Sequence, residues 1–153
     1  MASLSEEEEK YLRMHLLLTG ICPRAVRIFF DKEFPPACLY TSLKKEYHKL
    51  FDLKMKRLIN QSQWNLLFPR FPDVPDSKTF DVTLVTTLLR NLTPMNPQSC
   101  GFDCLPHPME TTPAADLTRI KYYRNYLAYL KNINIESHYF NTAWTDITDV
   151  CIN

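Results

Sequence analysis

The chain has 153 residues, 45% of them hydrophobic and 23% charged, which suits one globular domain with a sizeable core. A formal net charge of +1 gives no overall pull toward nucleic acid or membrane, so any such affinity has to be local. No apolar run approaches the ~20 residues that span a bilayer, and the acidic opening Glu6-Glu7-Glu8-Glu9 is the reverse of a secretory leader, so a cytoplasmic location with reduced thiols is expected.

Two glycines against eleven prolines argue for helices joined by stiff loops rather than a turn-rich β fold. The first predicted helix covers residues 5–19, with Ser5 as its cap, glutamates in its first turn and Gly20 after its last. Pro23 restarts the helix through Arg24 to Phe34, and Pro35-Pro36 stops it. Residues 37–51 form the next, with Leu39, Leu43, Tyr47 and Leu50 on one side. A shorter helix over 61–68 carries Trp64 and Leu67 toward the core and ends at Pro69. Asp76 or Ser77 caps a helix reaching Leu92. Its Phe80, Leu84, Leu88 and Leu92 recur at helical spacing, and its length outweighs the β-branched Val82, Thr83, Val85, Thr86 and Thr87. The stretch 93–112 holds Pro94, Pro97, Pro106 and Pro108 and is predicted to be one long extended connection.

Thr112 then caps, and Pro113 opens, a helix predicted to reach Lys131. Asp116 near its start and Lys131 near its end both complement the helix dipole. Leu117, Ile120, Arg124 and Leu127 fall on one stripe, so a permanent cation lies in the middle of an apolar face. Desolvating a guanidinium is costly without a partner. Either a carboxylate meets Arg124 inside the fold, or the stripe opens onto a groove or a second subunit that supplies an anion. Residues 132–135 turn the chain, and a last helix over 136–150 packs Phe140, Trp144 and Ile147. There is no internal repeat and no low-complexity segment. Residues 1–153 read as a single domain, either complete or the first of a longer protein.

The run Arg124-Asn125-Tyr126-Leu127-Ala128-Tyr129, preceded by Arg119-Ile120-Lys121-Tyr122-Tyr123, resembles the signature helix of the HEPN superfamily. Within it, the nearer likeness is to the HEPN domains of a DAZ-interacting, RNA-binding ubiquitin ligase and of invertebrate multidomain proteins. Pro23-Arg24-Ala25-Val26-Arg27, Phe30-Asp31-Lys32-Glu33-Phe34, Leu43-Lys44-Lys45-Glu46-Tyr47 and Gln63-Trp64-Asn65-Leu66-Leu67-Phe68-Pro69 carry it. So do Asp76-Ser77-Lys78-Thr79-Phe80-Asp81 and Phe140-Asn141-Thr142-Ala143-Trp144, so the likeness runs along nearly the whole chain. It implies an all-α, HEPN-type bundle of about five to seven helices with one long proline-rich loop. One departure stands out: the family's motif ends in histidine, and here that position is Tyr129.

HEPN ribonucleases cut RNA without metal, by activating a 2′-hydroxyl against the adjacent phosphate. A base near neutrality and a fixed cation serve that reaction. By resemblance Arg124 is the cation and Asn125 orients the phosphate or a partner group. An ordinary phenol has a pKa of about 10 and makes a poor base at neutral pH, so Tyr129 is left to donate a hydrogen bond or to stack. The plain structural alternative is that Arg124 ties helices together and Tyr129 packs. Tyr122, Tyr126 and Tyr129 share a face, which suits core or dimer packing first and base stacking second. Arg119, Lys121 and His138 complete the candidate binding set. His138 replaces the missing base only if folding brings it beside Arg124.

The remaining signals have bland readings. His15, His48 and His107 read as surface or packing residues. Lys44, Lys45, Lys49, Lys54, Lys56 and Arg57 outnumber Glu46 and Asp52 and read as a solvated helix face rather than a phosphate site. Cys100, Cys104 and His107 are one ligand short of a structural zinc site and read as free thiols in a loop. No cofactor is expected. The expected partners are a second copy of the chain and RNA, with no membrane. The expectation is a dimerising, RNA-binding HEPN module with a degenerate ribonuclease motif. Its rivals are an active metal-independent endoribonuclease using another base, and a protein-interaction scaffold in an immune-type multidomain receptor.

Overall fold

The computed structural model describes residues 3–95, 104–130, 135 and 137–152, and every regular element among them is helical. The fold class is therefore all-α, as the sequence predicts. Two compact units divide the chain, residues 1–25 with 97–153 and residues 26–96. No helix of the described residues is long and apolar enough to cross a membrane.

In the first unit, α1 (Glu6–Leu16) opens with a reciprocal cap. Ser5 Oγ accepts from the Glu8 amide and Glu8 Oε2 accepts from the Ser5 amide, both at 3.2 Å. The helix does not stop at Gly20 as expected. It passes through a π turn (Leu17–Ile21) straight into α2 (Cys22–Glu33). Proline at position 23 has no amide to give the carbonyl four residues back, and its ring crowds that carbonyl. The wider π spacing, in which the Cys22 amide reaches Leu17 O, relieves the conflict. α7 (Pro113–Ala128) packs on α8 (Ser137–Ile152) and on the π turn, and α8 also packs on α1. Leu18, Ile120, Tyr123 and Ile147 fill the space between them.

The second unit holds the rest of α2 with α3 (Leu39–Lys45), α4 (Tyr47–Met55), α5 (Gln61–Leu67) and α6 (Val82–Leu92). The single helix predicted over 37–51 is broken at Glu46, where φ is −97° and ψ 17°. The break re-aims Tyr47. Leu39, Leu43 and Leu50 are buried, whereas Tyr47 is 43% exposed and packs edge-on against Trp64 and Phe68 at 5.6 and 5.4 Å. The helix predicted from Asp76 to Leu92 is likewise two pieces. Asp76 caps a short 3₁₀ turn (Ser77–Thr79), Phe80 is extended, and Asp81 starts α6 by accepting from the Leu84 amide at 2.7 Å. The extended residue lays its ring against Phe30 at 5.9 Å, and Ser77 Oγ donates to Asp31 at 2.7 Å. Of the long connection, residues 93–95 and 104–112 are without helix, and the predicted stretch 96–103 lies outside the described residues, as does Lys131.

Candidate functional site

α7 is built as its sequence dictates. Thr112 Oγ1 accepts from the Ala115 amide at 3.2 Å, Pro113 occupies the first turn, and the helix closes at Ala128 with the Tyr129 amide on Asn125 O at 3.0 Å. Leu117, Ile120 and Leu127 of the predicted stripe are buried. Between them Arg124 is half-buried, and among the described residues no carboxylate forms an ion pair with it. Of the two outcomes open in the sequence, the internal carboxylate is the one not observed. The Cys22 thiol is pushed well up by its hydrogen bond to Cys151 and by burial, and the charge of Arg124 opposes that shift.

Arg119, five residues earlier, has a different fate. The residue is 6% exposed. It donates to His107 O at 2.9 Å and Glu110 O at 2.5 Å, and pairs with Asp116 at 3.3 Å. The guanidinium thus ties the turn at 107–110 to the head of α7, which leaves it poorly placed to take an external phosphate. Burial pushes the Asp116 carboxyl up, opposed by the charge and hydrogen bond of Arg119.

The tyrosines sort into two groups. Tyr122 is partly exposed, while Tyr126 stacks on Tyr139 of α8 with centroids 4.4 Å apart and planes at 28°. Tyr123 lies inside and donates its hydroxyl to Asp146 at 2.6 Å. Burial first, then the hydrogen bond to Asp146, pushes the Tyr123 phenol well up, and burial with the neighbouring Tyr122 and Tyr126 does the same for Tyr139. Tyr129 does not share their packing. It sits past the helix end, 83% exposed. Tyr139 and Asp146 were missed by sequence reasoning. Their offset of seven on α8 puts both on the face that meets α7, a signal legible once Phe140 and Trp144 had marked the helix. His138 is exposed in the first turn of α8, and its carbonyl accepts from Thr142 at 3.1 Å. Asn125 is exposed and Lys121 half-buried.

The lysine-rich stretch is largely engaged. Lys44 lies over the Tyr40 ring at 5.1 Å and Lys54 over Trp64 at 4.9 Å, while Lys49 pairs with Glu46 and Lys56 with Asp52. Cys104 is disulfide-bonded, which corrects the free thiol expected there. That expectation rested on compartment and on a ligand count one short of a zinc site, neither of which carries any geometry of the loop. Cys100 lies outside the described residues, and His107 Nδ1 accepts from the Met109 amide at 3.1 Å.

Comparison with known proteins bears on the same helix. The family model described as DZIP3/hRUL138-like HEPN matches residues 36–153. The mouse (Mus musculus) protein "E3 ubiquitin-protein ligase DZIP3" is 28% identical over 131 residues, 83% of this chain and 11% of its own length. Its human (Homo sapiens) counterpart of the same name is 29% identical over 132 residues, again 83% of this chain and 11% of its own length. The chain therefore spans about a tenth of the curated relatives it matches. No solved structure matches it.

Proposed function

Because the chain belongs to the DZIP3/hRUL138-like HEPN family, we propose that residues 1–153 work as one dimerising, RNA-binding domain whose ribonuclease motif is degenerate. Arg124 and Asn125 keep the phosphate-holding half of the motif, and Tyr129 stands where the base belongs. The observation that carries this reading is Arg124 itself, a half-buried cation on an apolar stripe with no carboxylate partner among the described residues. Such a group is stabilised by an anion brought from outside, and a phosphodiester matches its planar fork. Asn125 is exposed one position on and orients the bound group. Tyr122 offers a ring to a base beside it, Tyr126 is held in place by its stack on Tyr139, Lys121 lies one turn before Arg124 on the same helix, and His138 directly precedes Tyr139 in α8. Ligase activity belongs to the relatives' name, and the share proposed for this domain is pairing and RNA capture.

The decisive experiment restores the base. General acid–base groups contribute ~10²–10⁴-fold in rate, so Tyr129→His should raise cleavage of labelled RNA in the presence of chelator. Adding Arg124→Ala should abolish the gain and weaken RNA binding by the same protein. Robust cleavage by the unmutated domain that vanishes with Arg124→Ala would place a working base elsewhere, His138 first. A Tyr129→His protein that folds and pairs yet stays inert would mean the site has lost more than its histidine.

A further inference from the structure

Cys22 heads α2 and Cys151 lies in the last turn of α8, 129 positions apart in sequence, yet their sulfurs are 3.0 Å apart. Both are free thiols. Cys22 is 0% exposed, whereas Cys151 is partly open to solvent. A disulfide bond is about 2.05 Å long, so the two sulfurs need to close by only about 1 Å. Cys38, the other free thiol among the described residues, is exposed in the second unit. We propose that Cys22 and Cys151 are a modification site, a vicinal thiol pair at which glutathione disulfide installs a cross-link between the head of α2 and the tail of α8.

The two sulfurs have different parts to play. The hydrogen bond to Cys151, with burial behind it, holds the proton on Cys22 against the pull of Arg124. The same bond draws Cys151 down, against burial and the charge of Asp116. Cys151, the partly open thiol of the two, is thus the better nucleophile. Cys151 thiolate attacks one sulfur of glutathione disulfide, the S–S bond breaks, and one glutathione leaves as its thiolate and takes up a proton. Cys22, now facing a mixed disulfide, attacks the Cys151 sulfur. The second glutathione departs with the Cys22 proton. Two protein thiols have been oxidised to one disulfide, and one glutathione disulfide reduced to two thiols. The cross-link pins α8, and with it Asp146 and Tyr139, to the residue that the charge of Arg124 reaches. This site goes beyond the RNA reading and stands whether or not RNA binds.

The test uses the full chain, reduced and then incubated with glutathione disulfide. Tryptic digestion without reductant should yield peptide 14–24 joined to peptide 132–153, and Cys151→Ser should abolish that species. Cys22→Ser should instead trap a glutathione adduct on Cys151. Closing so long a loop should raise the Tm of the oxidised protein by roughly 10 °C over identically treated Cys151→Ser. A folded, oxidised wild type lacking the joined peptide overturns the proposal. So does a map in which Cys22 pairs with Cys38 or Cys104 instead.

Discussion

Tyr123 exchanges all its contact with water for one carboxylate, and that trade has a pH signature. Its phenol is raised by burial and by the hydrogen bond to Asp146, so the folded state holds the proton more tightly than the unfolded chain does. The stability this contributes is fully present below the ordinary phenol pKa of about 10 and is lost as pH rises above it. Alkaline titration should therefore show the Tyr123 and Tyr139 phenols ionising together with loss of the helical circular dichroism signal. Tyr123→Phe should lower stability by ~1–2 kcal/mol, because Asp146 loses its donor. If the phenol signal that appears with unfolding is no smaller in that variant than in the wild type, the assignment fails. Arg119 makes a companion prediction. Alanine there strands two carbonyls and Asp116, and should cost about 2–4 kcal/mol in a urea melt. Lysine cannot reproduce the three contacts and should rescue little of it. In the sequence it is Arg124 that sits on the apolar stripe and needs a partner, yet it is Arg119, five residues earlier and off that stripe, that is buried and satisfied. What separates them is a pair of carbonyls from an irregular turn at 107–110, and no periodicity or motif announces such acceptors.

At the scale of elements, what was legible was wherever a side chain closes on its own backbone. Ser5 and Thr112 each cap the helix they precede, and Leu117, Ile120 and Leu127 of α7 are buried as their spacing requires, whereas α6 is capped by Asp81 and not by the expected Asp76 or Ser77. What was not legible is where a helix yields to a neighbour. Nothing local marks Glu46, and the break there follows from the ring cluster that Tyr47 joins with Trp64 and Phe68. The end of α4 shows a similar concession. The Leu58 amide reaches back to Leu53 O and the Arg57 amide to Lys54 O, each at 3.0 Å, a closure that forces Arg57 to a φ of 64°. Glycine is at home in that left-handed conformation and arginine is not. Arg57→Gly should accordingly raise stability by about 1 kcal/mol, read as a higher urea midpoint at unchanged m value. A lower midpoint would mean that the arginine side chain makes contacts worth more than the backbone strain.

For the molecule as a whole, the order of short segments along the chain was enough to find the family, because a run of matches in register is far rarer than any one of them. The grouping of residues 1–25 with 97–153 was not readable in the same way. It depends on α1 meeting α8 across most of the chain's length, a contact with no local trace. Pairing of two copies, expected from the tyrosine-rich α7, belongs to this scale. Light scattering well above micromolar concentration should report a dimer, and Tyr129→Glu, at a position 83% exposed, should shift it toward monomer. A monomer throughout would refute pairing, and a dimer indifferent to the glutamate would move the interface off the end of α7. A π turn is an α-helix carrying one surplus residue. Gly20 is exposed within the π turn between α1 and α2, with nothing inside 4 Å of where a side chain would begin. Deleting Gly20 would tighten the turn to plain α spacing and press the ring of Pro23 on the carbonyl four residues before it, the conflict that the wider turn relieves. The surplus residue works as an expansion joint, which lets one helical run continue from Glu6 to Glu33 across a proline that would otherwise end it.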